Sequence, residues 1–127
     1  MTMKCEKAAT SLEEGIKNII ETAKNDYAQW TSKGRQDGST YFERTLQEFE
    51  DKCHVEQGRN YFKVVRDGGV HCFVIKKLTA KTEAKGFKVG DILKPAGWQA
   101  PALNKARGNV FDENGFYMNW TGPLYLS

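Results

Sequence analysis

The sequence predicts an α+β fold, an N-terminal helical hairpin followed by a curled antiparallel β-sheet, in one domain spanning 1–127. Its helical part is 1–58 and its β part 59–127. Three observations predict this. Before Gly58, apolar residues recur at spacings of three and four, the period of a helix face. After Gly58 the pattern changes to short runs rich in β-branched and aromatic residues. Those runs are punctuated by turn residues at Asp67-Gly68-Gly69, Glu113-Asn114-Gly115 and Thr121-Gly122-Pro123.

The first helix opens at a capping box, Ser11 with Glu14, in which the hydroxyl accepts from the N3 amide and the carboxylate reaches back. Its stripe is Leu12, Ile16, Ile19, Ala23, Tyr27 and Trp30, ending near Thr31. Gly34 and Gly38 mark a loop over 32–38. A second box, Thr40 with Glu43, opens the next helix, whose stripe is Phe42, Leu46, Phe49 and Cys53 and which stops at Gly58. Both stripes are narrow, so each helix must pack on the second half or on another copy of the chain.

In the second half, Tyr61–Arg66 and His71–Lys76 form a hairpin about Asp67-Gly68-Gly69. A three-residue loop puts Phe62, Val64, Cys72 and Val74 on one face, and a four-residue loop brings in Phe73 and Ile75 instead. Residues 79–87 read as a Lys/Thr/Ala loop. Asp91–Lys94 is a short strand stopped by Pro95. Asn109–Phe111, Phe116–Trp120 and Leu124–Leu126 supply further short strands.

Composition narrows the function. With 127 residues, 39% hydrophobic and 28% charged, the chain is neither a disordered polyelectrolyte nor a membrane protein. No apolar stretch approaches a membrane span and the N-terminus has no signal-peptide core, so the expectation is a soluble, cytoplasmic protein. Cys5, Cys53 and Cys72 are odd in number and widely spaced, which suits reduced thiols. Residues 1–57 carry 8 Lys/Arg against 11 Asp/Glu, and 58–127 carry 11 against 5, giving −3 and +6 and the net +3. Anion binding therefore belongs in the second half, with a balance that suits a compact ligand and not duplex DNA.

Chemistry-bearing motifs are few. Cys53-His54 and His71-Cys72 hold both histidines, yet neighbours in a strand point to opposite faces and no C-x-x-C spacing occurs. Cys53 and Cys72 read as core residues, His54 and His71 as surface residues, and no metal or other cofactor is expected. No Walker loop, dinucleotide fingerprint or nucleophile elbow is present, and an enzyme is not expected. The unusual segment is Lys88–Asp112, a long connection punctuated by Pro95 and Pro101. Arg107-Gly108-Asn109 places a forked cation, an unshielded backbone amide and a side-chain amide together, equipment for a phosphate and a ribose or base edge. Trp98, Phe111 and Tyr117 are nearby rings that can stack on a base. The competing scaffold reading pairs Arg107 with Asp91 or Asp112, packs Trp98 on the sheet and makes Gly108 a bulge.

From Tyr61 to Leu126 the chain resembles a family of small phage and prophage proteins. The resemblance is carried by Val89-Gly90-Asp91-Ile92-Leu93-Lys94-Pro95-Ala96, by Ala100-Pro101, by Ala106-Arg107-Gly108-Asn109-Val110-Phe111-Asp112 and by Trp120-Thr121-Gly122-Pro123-Leu124-Tyr125-Leu126. In size and in its helices-then-sheet order it is similar to one branch, the Thoeris anti-defence protein one family. The resemblance implies a sponge that sequesters glycocyclic ADP-ribose, with cyclic oligonucleotides bound by some members in a separate site, and that blocks Thoeris immunity without degrading the signal. It also implies action in the infected bacterial host and a homo-oligomer, a dimer assembling into a hexamer. Under that expectation Arg107 with one or more of Arg66, Lys76, Lys94 and Lys105 neutralises a pyrophosphate. Asp91, Asn109 and Asp112 bond ribose hydroxyls, and Gly108, Trp98 and Phe111 complete the site. The rival readings are a phage protein-interaction module or inhibitor acting on a host protein, and a binder of single-stranded nucleic acid.

Overall fold

The computed structural model describes residues 3–5, 8–32, 47–66, 68–103, 105–113, 115–119 and 122–123. The fold is α+β: an N-terminal helix followed by a four-stranded antiparallel sheet that does not close. In chain order the elements are β1 (Met3–Cys5), α1 (Leu12–Ser32), α2 (described over 47–51), β2 (Cys53–Gln57) and β3 (Tyr61–Arg66). They continue with β4 (Gly69–Ile75), α3 (Ala80–Ala84), β5 (Ile92–Leu93), β6 (Phe116–Asn119) and β7 (Gly122–Pro123). The large sheet has the order β2-β3-β4-β5, and a smaller one the order β1-β6-β7. Among the described residues no helix is long and apolar enough to cross a membrane.

Helix α1 begins where the capping box predicts, but the bond of the Glu14 carboxylate differs from the expected one. The Ser11 hydroxyl accepts from Glu14 N at 3.1 Å, while the Glu14 carboxylate accepts from the Thr10 hydroxyl at 3.0 Å. Ile16, Ile19 and Ala23 are buried against Phe62, Val64, Cys72, Val74 and Ile92 on one face of the large sheet, and Cys5, Phe116 and Met118 of the small sheet join them. The opposite face carries a second core of Phe73, Ile75, Phe87 and Leu93, covered by Leu78, Leu103 and Ala106. Alternate residues of β3 and β4 thus enter two different cores, which is why these strands read as almost unbroken apolar runs. Helix α1 approaches the loop after β5 closely at Gly15, where a Cβ would lie 2.5 Å from Val110 Cβ.

Several expectations change. The second helix does not run to Gly58: residues 53–57 form β2, paired with β3 from Cys53↔Arg66 to Gln57↔Phe62, and Gly58 belongs to the turn of that hairpin. Its stripe misled because Cys53 lies one helical turn beyond Phe49, while His54-Val55 gains more from strand pairing. The second capping box, Thr40 with Glu43, and Phe42, Leu46 and the loop at 32–38 fall outside the described residues apart from Ser32. So do Trp120, Leu124–Leu126 and the side chains of Trp30 and Tyr117.

The β3–β4 turn lies between Arg66 and Gly69, shorter than either loop expected from sequence. A β-bulge compensates: Val65 pairs with Val70 and Val64 with Cys72, so His71 is the extra residue. This restores the pairing that a three-residue loop imposes and puts Phe62, Val64, Cys72 and Val74 on the α1 side. The same bulge turns His71 inward, where it is 5% exposed, correcting its assignment to the surface. Cys72 is fully buried and Cys53 half-buried.

The loop expected at 79–87 contains α3, held by a capping box in which Thr79 and Thr82 each accept from the other's main-chain N–H. Asn109–Phe111 is not a strand. Only Asn109 bridges, to Asp91, and the chain then turns. The N-terminal strand β1, pairing Met3↔Met118 through Cys5↔Phe116, is an addition that three residues of sequence do not announce.

Candidate functional site

The long connection after β5 folds back on itself. Ala102 N donates to the Lys94 carbonyl, Pro95 bridges Pro101, and both Ala96 N and Gly97 N donate to the Ala100 carbonyl. This tightens residues 94–102 into a hairpin-like loop with Trp98 at its tip, 45% exposed. The loop reaches across the sheet face opposite α1, since Leu103 and Ala106 at its return pack on the Phe73–Leu93 core.

There the indole meets a cation. Lys63, in the middle of β3, places its ammonium 4.7 Å from the Trp98 ring centroid and 5.9 Å from that of Phe73. Its side chain is 13% exposed, and Glu56 lies across the β2–β3 ladder at 3.6 Å. Tyr61 meets Phe73 edge-on at 6.0 Å. Beside this cluster opens a cleft of about 310 Å³, bordered by Arg59, Asn60, Tyr61, Lys63, Phe73 and Gln99 and by the end of β2. Its volume is at the lower end of small-ligand sites, roughly 300–1,000 Å³. Cations, ring faces and amides converge on it, the combination that grips a base and a phosphate together. A hydrogen bond from His54 at 3.1 Å, aided by Lys63, holds the Glu56 carboxyl below its ordinary value. Burial raises the Tyr61 phenol.

The residues singled out from sequence divide into three groups. Trp98 lies beside the cleft, in contact with Lys63 of its wall, and does not itself line it. Asp91, Asn109 and Phe111 form a closed network: Asn109 Nδ2 donates to Asp91 Oδ1 at 2.8 Å and to the Val89 carbonyl at 3.1 Å, and Phe111 N donates to Asn109 Oδ1 at 2.8 Å. The other Asp91 oxygen accepts from Lys88 N at 2.8 Å. Asp112 N donates to the Asn109 carbonyl and the Phe111 ring lies against Gly90, so these groups lock the return of the loop onto the start of β5. Arg107 and Gly108 lie opposite a single residue, since Ile92 N donates to the Gly108 carbonyl while the Ile92 carbonyl accepts from Arg107 N. That is a β-bulge. A Cβ on Gly108 would lie 2.7 Å from Phe116 Cβ, so the glycine lets the two sheets approach. Arg107 Nε donates to the Lys105 carbonyl at 3.2 Å, and the Lys94 carbonyl closes the base of the Trp98 loop.

Arg66 forms the third group, on the other face of the sheet. Its guanidinium stacks 4.4 Å from the Phe49 centroid and 5.6 Å from that of Tyr27, within the α1 core. Lys76 sits 5.6 Å from the Phe62 ring. Sequence reasoning missed Lys63, Tyr61, Phe73 and Gln99. The available signal was Lys63 itself, one cation inside an apolar strand and two residues from an aromatic on the same face.

Neither thiol beside a histidine is primed for attack: burial pushes both Cys53 and Cys72 upward, and Cys53 Sγ donates to the Phe49 carbonyl at 3.2 Å. Among the described residues no group of three His, Cys, Asp or Glu side chains is placed to hold a metal ion. The model of a family described as "Family of unknown function (DUF7717)" matches residues 2–126. No curated protein and no solved structure matches the chain.

Proposed function

Because the chain belongs to the DUF7717 family, whose function is unknown, we propose a role from the resemblance of its second half to phage signal sponges and from the residues around the cleft: it binds a cyclic ADP-ribose-type nucleotide, glycocyclic ADP-ribose first, and sequesters it without degrading it. In this reading it is a phage-encoded anti-defence sponge that blocks Thoeris immunity in the cytoplasm of an infected bacterium.

The observation that carries the reading is the Lys63–Trp98 pair, in which Lys63 lines the cleft and the Trp98 indole lies against that lysine just outside it. The exposed indole offers a stacking surface for a base. Lys63 and Arg59 offer charge to phosphate oxygens, and Asn60 and Gln99 offer amides to ribose hydroxyls. Glu56 holds Lys63 in the free protein; a phosphate entering the cleft takes over part of that pairing. A sponge needs buried stacking and paired cations, with no activated nucleophile, and the raised thiols of Cys53 and Cys72 suit that requirement.

The test is to incubate the purified protein with glycocyclic ADP-ribose, remove the protein by filtration, and then heat-denature it and analyse what it releases. Depletion from the filtrate with intact ligand on release is the expected result. A cleaved product would make the protein an enzyme, and an undepleted filtrate would remove the sponge reading.

A further inference from the structure

Strand β2 pairs on one side only among the described residues, with β3, and forms an open edge of the large sheet. His54, Val55, Glu56 and Gln57 are exposed, Val55 by 40% of its surface. Open edges are ordinarily blunted by lysine, proline or a bulge, because unpaired N–H and C=O groups recruit another strand. β2 has none of these: it runs Cys53-His54-Val55-Glu56-Gln57 in continuous register with β3.

The ladder settles which main-chain groups face outward. Gly58 N donates to the Tyr61 carbonyl, so Gly58 and Tyr61 are a hydrogen-bonded pair. Alternation along an antiparallel ladder then turns the N–H and C=O of His54 and Glu56 toward β3, and those of Cys53, Val55 and Gln57 toward the open edge.

We propose that this edge is the interface with a second copy of the chain, β2 pairing antiparallel with its counterpart about a two-fold axis at Val55. The sequence of β2 is self-complementary in that register alone. Val55 meets the partner's Val55 in a hydrogen-bonded pair, and Cys53 meets the partner's Gln57. His54 then lies directly opposite the partner's Glu56, and Glu56 opposite the partner's His54, in the closely spaced pairs where an imidazole N–H reaches a facing carboxylate. Sliding by two residues, which moves the axis to His54 or to Glu56 while keeping outward groups paired, sets His54 against His54 or Glu56 against Glu56. Both alternatives oppose like groups and shorten the ladder.

The same axis joins a second surface. Below the β2 edge, on the α1 side, a groove of about 630 Å³ is lined by Ile16, Ile20, Cys53 and Val55, with Glu13, Lys17, Glu21 and Lys24 along its α1 wall. A two-fold normal to the sheet brings the partner's groove against it, so the partner's Val55 covers the exposed Val55. It also sets two α1 walls side by side and antiparallel, each alternating acid and base, which again suits a reversed copy. On the other face, Glu56 gains the partner's His54 while bordering the cleft, so each protomer lends a group to the rim of its neighbour's site.

Sedimentation velocity across a concentration series tests the pairing. The wild-type chain should be a dimer in the micromolar range, as the full two-fold pair of β2 strands. Val55→Lys sets two ammonium groups against each other at the axis and should raise the dimer Kd at least tenfold. His54→Glu places carboxylates opposite Glu56 and should do the same, whereas the exchange His54→Glu with Glu56→His restores unlike pairs and should recover most of the affinity. Circular dichroism melting of each variant identifies any that fails to fold, and the exchange variant serves if Val55→Lys does. A monomeric wild type at high micromolar concentration would overturn the proposal. So would a wild-type dimer that folded Val55→Lys and His54→Glu leave intact, since the interface would then lie elsewhere.

Discussion

The Lys63 ammonium rests 4.7 Å from the centroid of Trp98, although the two residues belong to segments that approach only after the chain has made two further strands and a helix. The contact ties the tip of the 94–102 loop to the centre of the large sheet. Contacts of this kind contribute about 0.5–2 kcal/mol, more as the cation is desolvated. Lys63 is largely buried, so a ligand meets a cation and an indole already in position, with little ordering left to do on binding.

Two substitutions separate the roles of this pair. Trp98→Ala removes the stacking surface, typically worth about 1–3 kcal/mol, and should weaken nucleotide binding roughly 5- to 150-fold. Lys63→Met keeps the apolar stem and deletes the charge, so affinity should fall and lose part of its dependence on salt. Isothermal titration at two ionic strengths reads both effects. Unchanged affinity in folded Trp98→Ala would remove the indole from the binding site, and unchanged affinity in Lys63→Met as well would remove the cleft.

Arg107 provides an independent test of the second candidate patch. If its guanidinium binds phosphate, Arg107→Ala forfeits charge-assisted bonds of about 1.5–3 kcal/mol and weakens binding roughly ten- to a hundredfold. Arg107→Lys then recovers only part of the loss, because an ammonium cannot reproduce the fork. If the Arg107 side chain serves only the fold, through its Nε bond to the Lys105 carbonyl, the melting temperature falls and the binding isotherm per folded molecule stays where it was. Melting curves and isotherms on the same samples distinguish the outcomes.

Gly15→Ala should destabilise the protein although alanine is the better helix former by about 1 kcal/mol. The new methyl group would lie 2.5 Å from Val110 Cβ, and Val110 is fully buried. Overpacking of this kind costs about 1–3 kcal/mol. Val110→Ala alone leaves a cavity and removes the two Cγ atoms 2.6 and 3.0 Å from the new methyl group but not the Cβ, so the two changes together should be only partly less destabilising than their sum. A denaturant-unfolding double-mutant cycle measures this; additivity within about 0.5 kcal/mol would show that α1 and Val110 are not in contact.

The thiol of Cys72 carries a pH signature. Burial raises it above its ordinary value, so the folded chain keeps a proton that the unfolded chain releases above about pH 8.5. Its contribution is complete below the unfolded pKa and is lost as pH rises toward the folded one, with a limiting slope of about 1.4 kcal/mol per pH unit. Cys72→Ala should therefore show a shallower alkaline loss of stability than the wild type in urea titrations between pH 8 and 10. Parallel curves would mean that solvent reaches Cys72 in the folded state.

The sequence by itself determines the helix-then-sheet order, because period and capping are local. The Ser11 hydroxyl accepts from Glu14 N as its spacing requires, and Phe62, Val64, Cys72 and Val74 share a face because side chains alternate along a strand. It also marks the chain after β5 as unusual, from its prolines and from Trp98. What only the tertiary structure decides is which distant groups meet. The bulge at His71 reconciles a short turn with a register that two apolar cores demand, and it buries a histidine whose neighbours suggest exposure. Strand pairing with β3 takes Cys53–Gln57 away from the helix its stripe suggests, since an isolated helical turn contributes less than a ladder. The site divides for the same reason: Arg66 and Lys63 are three residues apart in one strand and therefore face opposite cores, one stacked on Phe49 and the other beneath Trp98. Local residue patterns determine elements and faces, whereas ligand sites arise where non-local segments converge, and that convergence depends on pairing partners no single segment contains.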